Sequence, residues 1–351
     1  MSDIDYSFFT GKRIFVTGAC GTVGEALCKR LLSPPFSIKE LVGIDINESE
    51  LFFLDQLGNH SRHGEFLLGD IRDRSTLIRM MAGIDIVFHC AALKHVSLGE
   101  KRPHEIVKTN IEGIENIIDA AIENNVERVI FTSSDKAVNP TNVMGTSKLM
   151  GERLITAANL YNKIEGNHST VFASSRFGNV LGSNGSVIPI FKRQISRGGP
   201  ITLTDRRMTR FVMTIEEAVD LVISCAKIAK GGEVFVTKMP IIRISDLAQV
   251  MRDRVTTDSG QQRSDIEITE IGSKPGEKLY EELMNREETA RALELKDFFV
   301  ILPAFRSNYD HIDYTYDTLV TDCVQSEYTS EHGPFLASQE LYQFLLDGNL
   351  I

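Results

Sequence analysis

Strand-like and helix-like segments alternate from the start of the chain, and that alternation restricts it to a parallel sheet covered by helices. Short β-branched and aromatic runs read as strands at Arg13–Thr17, Leu41–Asp45, Glu65–Leu68 and Asp85–Ala91, with a fifth containing Val129, Ile130 and Phe131. The intervening helices are expected from the turn after Thr17 to Leu32, stopped by Pro34-Pro35, and near Ser75–Met81. A long helix opened by Pro103, a residue favoured in the first turn, is expected to run through Asn116 to Ala121. Thr170–Phe177 and Glu233–Thr237 read as later strands, and Ser186–Arg197 as a helix ended by Gly198-Gly199-Pro200. Thr214 opens another helix, with Glu216 and Glu217 in its first turn. From Pro240 onward the elements are short and mixed. The expected architecture is a doubly wound α/β domain over residues 1–178, with 206–237 returning to it. A smaller mixed α/β lobe is expected from 179–205 and 238–351; a chain of 351 residues can bury a core in both.

A net charge of −10 lacks the basic footprint of a nucleic-acid surface. No apolar run reaches the length of a membrane span, and the acidic, polar stretch from Met1 to Phe9 is unlike a signal peptide. A soluble cytoplasmic protein without a membrane partner is therefore expected. Cys20, Cys28, Cys90, Cys225 and Cys323 are dispersed without metal-ligand spacing, so no metal site is expected and the thiols read as buried and free.

Gly18, Gly21 and Gly24 fall at spacing three on the turn between the first strand and its helix, around Thr22 and Val23. Such a turn lets backbone approach a pyrophosphate and sets the positive helix N-terminus against it. The spacing departs from G-x-G-x-x-G. Asp45 ends the second strand, where a carboxylate accepts both hydroxyls of a ribose and repels a 2′-phosphate; NAD is expected rather than NADP. The competing reading has Asp45 capping the helix that begins in Asn47-Glu48-Ser49. Asp70 and Ile71, after the third strand, are placed for an adenine edge, and Ala91-Ala92 leave room for the cofactor backbone.

The chemistry-bearing stretch is Thr132-Ser133-Ser134-Asp135-Lys136, which closes the fifth strand. Lys148 follows Met144 by one helical turn on the same face. A hydroxyl, a carboxylate and two ammonium groups thus gather at the carboxyl end of a strand, the rim where open α/β sheets bind ligands. Lys94 and His95, in the loop after the fourth strand, face the same rim, as substrate or diphosphate contacts or as a solvated loop. His60, His63 and His168 are given no role.

The run Ser134-Asp135-Lys136-Ala137-Val138-Asn139-Pro140-Thr141-Asn142-Val143-Met144-Gly145 resembles the signature of the UDP-N-acetylglucosamine 4,6-dehydratases, which are extended short-chain dehydrogenases. Ala92–Val96, Arg176–Ser183, Ser186–Pro189, Met208–Phe211 and Pro275–Lys278 continue the likeness through most of the chain, and the glycine turn is similar to the superfamily's T-G-x-x-G-x-x-G. The resemblance implies a Rossmann-type fold, tightly bound NAD, a UDP-N-acetylhexosamine substrate and a homo-oligomer. The implied reaction oxidises carbon 4 by hydride transfer to NAD, eliminates water across carbons 5 and 6, and returns the hydride to carbon 6. It further implies that Lys136 takes the carbon 5 proton, Asp135 protonates the departing 6-hydroxyl, Ser134 bonds the 4-hydroxyl, and Lys148 holds the nicotinamide ribose. Asn179 and the backbone at Val187 and Ile188 would lie near diphosphate and uracil, with Thr202 and Thr204 lining the uridine pocket. Arg210 would pair with phosphate, or else form a surface ion pair with Asp205 or Glu216, and Glu277 would meet the uridine ribose.

Met144 stands where the superfamily carries a tyrosine, and a thioether cannot act as a base. A branch of the 4,6-dehydratases also has Met there beside an intact Asp-Lys pair; the proton then leaves through Ser134 or a water held by Lys148 or Asp135. Two competing readings are a 4-epimerase, which needs no Asp135-Lys136 pair but keeps the tyrosine, and a nucleotide-sensing regulator without turnover. Retention or inversion at carbon 5 is left open.

Overall fold

The structure, a computed structural model, describes residues 6–58, 63–164, 170–183, 185–254, 266–272 and 276–351. Its frame is a ten-stranded sheet. The first half supplies β1 (Arg13–Thr17), β2 (Glu40–Asp45), β3 (Gly64–Leu68), β4 (Ile86–His89), β5 (Arg128–Ser134) and β6 (Val171–Phe177). They pair in parallel in the order β3-β2-β1-β4-β5-β6. Strands β1, β4 and β5 are buried along nearly their whole length, which is why they read as continuous apolar runs rather than alternating ones. Helices α1 (Thr22–Leu31), α2 (Glu48–Gly58) and α3 (Arg74–Met80) connect the early strands. The order reverses between β1 and β4, and at such a switch point the strand ends open a crevice.

Two local features differ from the sequence expectation. A short helix, α4 (Val96–Lys101), precedes Pro103. The long helix after it is built as α5 (Pro103–Val107), one wide π turn over Lys108–Glu112, and α6 (Gly113–Glu123). The π turn brings Asn110, 1% exposed, inward, where its side chain bonds both the N–H and the C=O of Leu93. A polar contact inside a helix is a recognised cause of such a bulge. Helix α7 (Val143–Ile164) follows β5.

After β6 the chain alternates between the main sheet and a second set of elements. These are β7 (Asn179–Val180), α8 (Val187–Ser196), β8 (Ile201–Leu203) and β9 (Thr209–Met213), then α9 (Ile215–Ile228) and β10 (Val234–Thr237) back against β6. Thr214 and Glu217 form the reciprocal cap that starts α9. Next come β11 (Ile241–Arg243), α10 (Ile244–Arg254), β12 (Ile268–Glu270) and β13 (Glu282–Met284). Leu181, Ile188, Phe191, Ile195, Leu247 and Met251 form the core of this lobe.

The hairpin β14 (Ala292–Leu295) and β15 (Phe298–Ile301), together with β16 (Leu319–Thr321), extends the main sheet antiparallel beyond β10. The sequence had grouped these residues with the smaller lobe. Their buried Phe298, Val300 and Ile301 require a sheet to pack on, and the free edge of β10 supplies it. The last strand, β17 (Tyr328–Thr329), pairs with β13. The cysteines are all free, but only Cys28 and Cys225 are buried as expected; Cys20 and Cys90 are half-buried and Cys323 is exposed. No helix among the described residues is long and apolar enough to cross a membrane.

One buried ionic cluster locks the end of β6 to the last third of the chain. Arg176, 1% exposed, makes two-pronged bonds to Glu152 of α7 at 2.8 and 2.7 Å and to Glu288 at 2.9 and 2.7 Å. It also donates to the Leu283 carbonyl at 2.9 Å, fixing β13 beside the strand ends that carry the cleft.

Candidate active site

A cleft of about 600 Å³ opens over the carboxyl ends of β1, β4, β5 and β6 and is closed on its far side by the second lobe. Of the residues expected at a site, Gly18, Gly21, Thr22, Val23, Gly24, Ala92, Lys94, His95, Ser134, Asp135, Lys136, Met144, Lys148, Asn179, Val187, Thr204, Arg210 and Glu277 line it. Asp45, Asp70, Ile71, Ala91, Ile188 and Thr202 do not.

The glycine turn is sterically tight. Gly18 has φ +68°, and a Cβ there would stand 2.7 Å from the Ala91 backbone nitrogen. A Cβ on Gly24 would lie 2.1 Å from the Gly18 carbonyl oxygen. Any side chain at either position would push the turn away from the N-terminus of α1. Beside it, Asp45 accepts the Cys20 N–H through one oxygen and the Asn47 N–H through the other, both at 3.0 Å. The start of α2 is instead capped by Asn47, whose side chain accepts the Glu50 N–H. Asp45 is therefore tied to the glycine turn, and the competing reading of it as the cap of α2 loses its main support. Asp70 is gripped by Arg72, whose hydrogen bonds hold its carboxyl below the usual range. Ile71 and Ile188 point into the two cores, and the Thr202 hydroxyl is bonded by Gln194 at 2.7 Å.

At the end of β5, Ser134 is extended and accepts the Lys136 N–H, which starts a single helical turn over Asp135–Ala137. Ser134 Oγ donates to Asp135 Oδ1 at 2.6 Å, and Lys136 Nζ donates to the same oxygen at 3.0 Å. Asp135 is 1% exposed and its Oδ2 has no hydrogen-bond partner among the described residues. A buried carboxylate oxygen left unpaired is costly in a site that only has to fold.

Lys148 donates to the Thr132 carbonyl at 2.9 Å and lies 4.7 Å from the centre of the Phe131 ring. Burial pulls its ammonium down to about 8, against the opposing pull of Cys90 and Glu152. Met144 is buried one turn earlier, with its carbonyl bonded by Ser147, which in turn is bonded by Asn110. Behind the site, His89 is fully buried, bonds Thr17 at 2.7 Å, and is kept neutral by burial and by Lys148, its pKa pushed down to about 3.

Arg210 is 9% exposed and pairs with neither Asp205, which binds Arg207, nor Glu216. Its guanidinium donates to the carbonyls of Thr209, Lys278 and Leu279, and its Nε lies 3.4 Å from Glu281. It presents positive charge to the cleft more than open donors. Glu281 was not anticipated: it lies just beyond the Pro275–Lys278 stretch of the likeness, and only the fold shows it to be 4% exposed. Of the histidines without an assigned role, His63 is exposed, while His60 and His168 lie outside the described residues, as does Pro275.

A family model described as polysaccharide biosynthesis protein matches residues 14–303. An uncharacterized membrane protein of Methanocaldococcus jannaschii is 48% identical over 85% of this chain and 87% of its own. A UDP-N-acetylglucosamine 4,6-dehydratase (inverting) of Campylobacter jejuni is 34% identical over 95% and 96% of the two chains. A UDP-glucose 4-epimerase of Rickettsia rickettsii is 35% identical over 96% of both. The X-ray structure of Pen from Bacillus thuringiensis superposes with a TM-score of 0.88 at 40% identity, over 98% of this chain and 99% of that one. Coverage of this extent by the family model, and relatives matched nearly end to end, assign the chain to the polysaccharide biosynthesis protein family that includes the UDP-N-acetylglucosamine 4,6-dehydratases.

Proposed function

We propose that this chain catalyses the 4,6-dehydration of a UDP-N-acetylhexosamine, UDP-N-acetylglucosamine foremost, with NAD held at the glycine turn. The observation that carries this reading is the Asp135-Lys136 pair in the lining of the cleft, beside Ser134 and with the Met144 thioether in the same lining. Loss of water needs an acid at the 6-hydroxyl and a base at carbon 5. An epimerase needs neither.

The residues present fit a dinucleotide. The glycines leave space where any Cβ would collide, the N-terminus of α1 faces a pyrophosphate, and Asp45 keeps lone pairs for a ribose diol. Asp45 repels a 2′-phosphate, which favours NAD over NADP. A bound NAD would supply the hydride exchange between carbon 4 and carbon 6 of the sugar. Lys148, anchored by the Thr132 carbonyl, would hold the nicotinamide ribose. Replacing Gly24 by alanine is expected to yield protein that carries less than a tenth of the wild-type dinucleotide, measured as nucleotide released on denaturation of the purified protein.

With a sugar in the cleft, Ser134 receives the proton of the 4-hydroxyl and passes it along its 2.6 Å bond to Asp135, the path that replaces the missing tyrosine. Asp135, carrying that proton, gives it to the departing 6-hydroxyl. Lys136, once neutral, takes the carbon 5 proton. Thr204 and Glu277 line the far end of the cleft for the nucleoside, with Arg210 and Lys94 giving it positive charge.

The second reading is a 4-epimerase, favoured by the names of the Rickettsia relatives. Mass spectrometry of the product separates the two. Dehydration gives a nucleotide sugar lighter by one water, whereas epimerisation leaves the mass unchanged.

A further inference from the structure

Glu281 is a buried carboxylate for which the reaction above has no use. Its Oε1 lies 3.8 Å from Lys136 Nζ and 3.4 Å from Arg210 Nε, so that one oxygen is shared by two cations. Its place is rigidly fixed. The Glu281 N–H donates to Ser330 Oγ at 2.9 Å, its carbonyl accepts the Ser330 N–H at 2.8 Å, and the fully buried Ser330 is bonded in turn to Thr209, the neighbour of Arg210. The groups facing this carboxylate are Lys136 and Asp135 from the turn after β5, Arg210 from β9 and Lys278 from its own loop. Asp135 and Glu281 thus face three cations, Lys136, Arg210 and Lys278, of which Lys278 also pairs with Glu282 at 2.9 Å.

We propose that Glu281 is the positioning residue of the proton-transfer step: its shared oxygen screens Lys136 from Arg210, holds the amine towards carbon 5 and sets the pH at which Lys136 loses its proton. The idea rests on the proposed dehydration for its purpose but not for its test. Burial opposes charge on Lys136, yet Asp135 and Glu281 together hold its ammonium above the ordinary lysine range. Burial likewise raises Glu281. A base must be neutral to act, so the rate rises with pH through the Lys136 midpoint. Removing the Glu281 charge exposes Lys136 to Arg210 and moves that midpoint down. A charge at this distance is worth one to three pH units, roughly.

The test is competitive acetylation of NAD-loaded protein with trace acetic anhydride across pH, reading the Lys136 peptide by mass spectrometry. The side chain is 31% exposed, which leaves it open to the reagent. The expected result is a midpoint lowered by about one unit or more in Glu281→Gln. Arg210→Gln should move it the other way, and it serves as the independent arm if the glutamine variant does not fold. In parallel, the rising limb of kcat against pH should shift with the midpoint, while KM changes less than kcat. An unchanged Lys136 midpoint in either folded variant overturns the proposal. Because acetylation does not depend on turnover, a shifted midpoint in protein that makes no keto sugar overturns the dehydratase reading and leaves only the coupling of Glu281 to Lys136 standing.

Discussion

Asp135→Asn is expected to lower kcat for dehydration by about 10²- to 10⁴-fold, the usual contribution of a positioned acid–base group. Binding of the sugar nucleotide should stay near the wild-type value. The amide keeps the size of the carboxyl and can still accept from Ser134 or Lys136 through its oxygen, so the local turn is retained. What is lost is the carboxyl that takes up a proton from Ser134 and gives it to the 6-hydroxyl. Oxidation at carbon 4 also delivers its proton to Asp135 through Ser134, so a single-turnover experiment should show both NADH formation and water loss slowed in the variant. Full activity in Asp135→Asn would remove the residue from the mechanism and with it the argument from the Asp-Lys pair.

The largest expected effect on stability comes from Arg176→Met. The guanidinium is enclosed by Glu152 and Glu288, which are 3% and 4% exposed at the side chain. Removing it leaves two buried carboxylates facing each other, and breaking such a pair typically costs about 3–5 kcal/mol. Replacing all three members by apolar residues of similar volume should cost far less, since their desolvation is then avoided as well. The loss should depend on pH. Burial raises the Glu288 carboxyl, but Arg176 outweighs burial and holds it below its ordinary value of 4.5. A carboxylate with a depressed folded pKa contributes stability that is present above its unfolded pKa and disappears as pH falls through the folded one. In the variant that depression is gone and unpaired burial favours the protonated form. Urea unfolding should therefore show a larger deficit at about pH 8 than at about pH 5. An equal deficit at both would mean that the cluster acts by packing alone.

The cluster matters for chemistry because of where it sits. Arg176 ties β6 to the Leu283 carbonyl, two residues beyond Glu281, so weakening it should also loosen the carboxylate that faces Lys136. Stability and the site are thus linked through one strand.

How much of this was visible in the sequence depends on how local each signal is. The glycine turn, the cap at Thr214 and the polar end of β5 are written within a few consecutive residues, and backbone sterics alone make them legible. The alternation of elements gave the parallel sheet for the same reason. Nothing in the periodicity of Ala292–Ile301 says which sheet edge the hairpin will join, so its place beside β10 had to come from the fold. The π turn at Lys108–Glu112 was hidden because its apolar pattern continues that of a normal helix. Glu281 was hidden by its company: acidic and basic neighbours are the mark of a solvated face, and its burial arises from contacts with β9 and with Ser330, far away in the chain.

The most direct test of the dehydratase reading is proton NMR of the purified, NAD-loaded protein with UDP-N-acetylglucosamine in heavy water. The expected result is a new methyl signal at carbon 6, deuterium at carbon 5, and no net NADH. The couplings at carbon 5 would then report retention or inversion. Appearance of the galacto epimer alone, or a substrate that binds and returns with its carbon 5 proton intact, would contradict it.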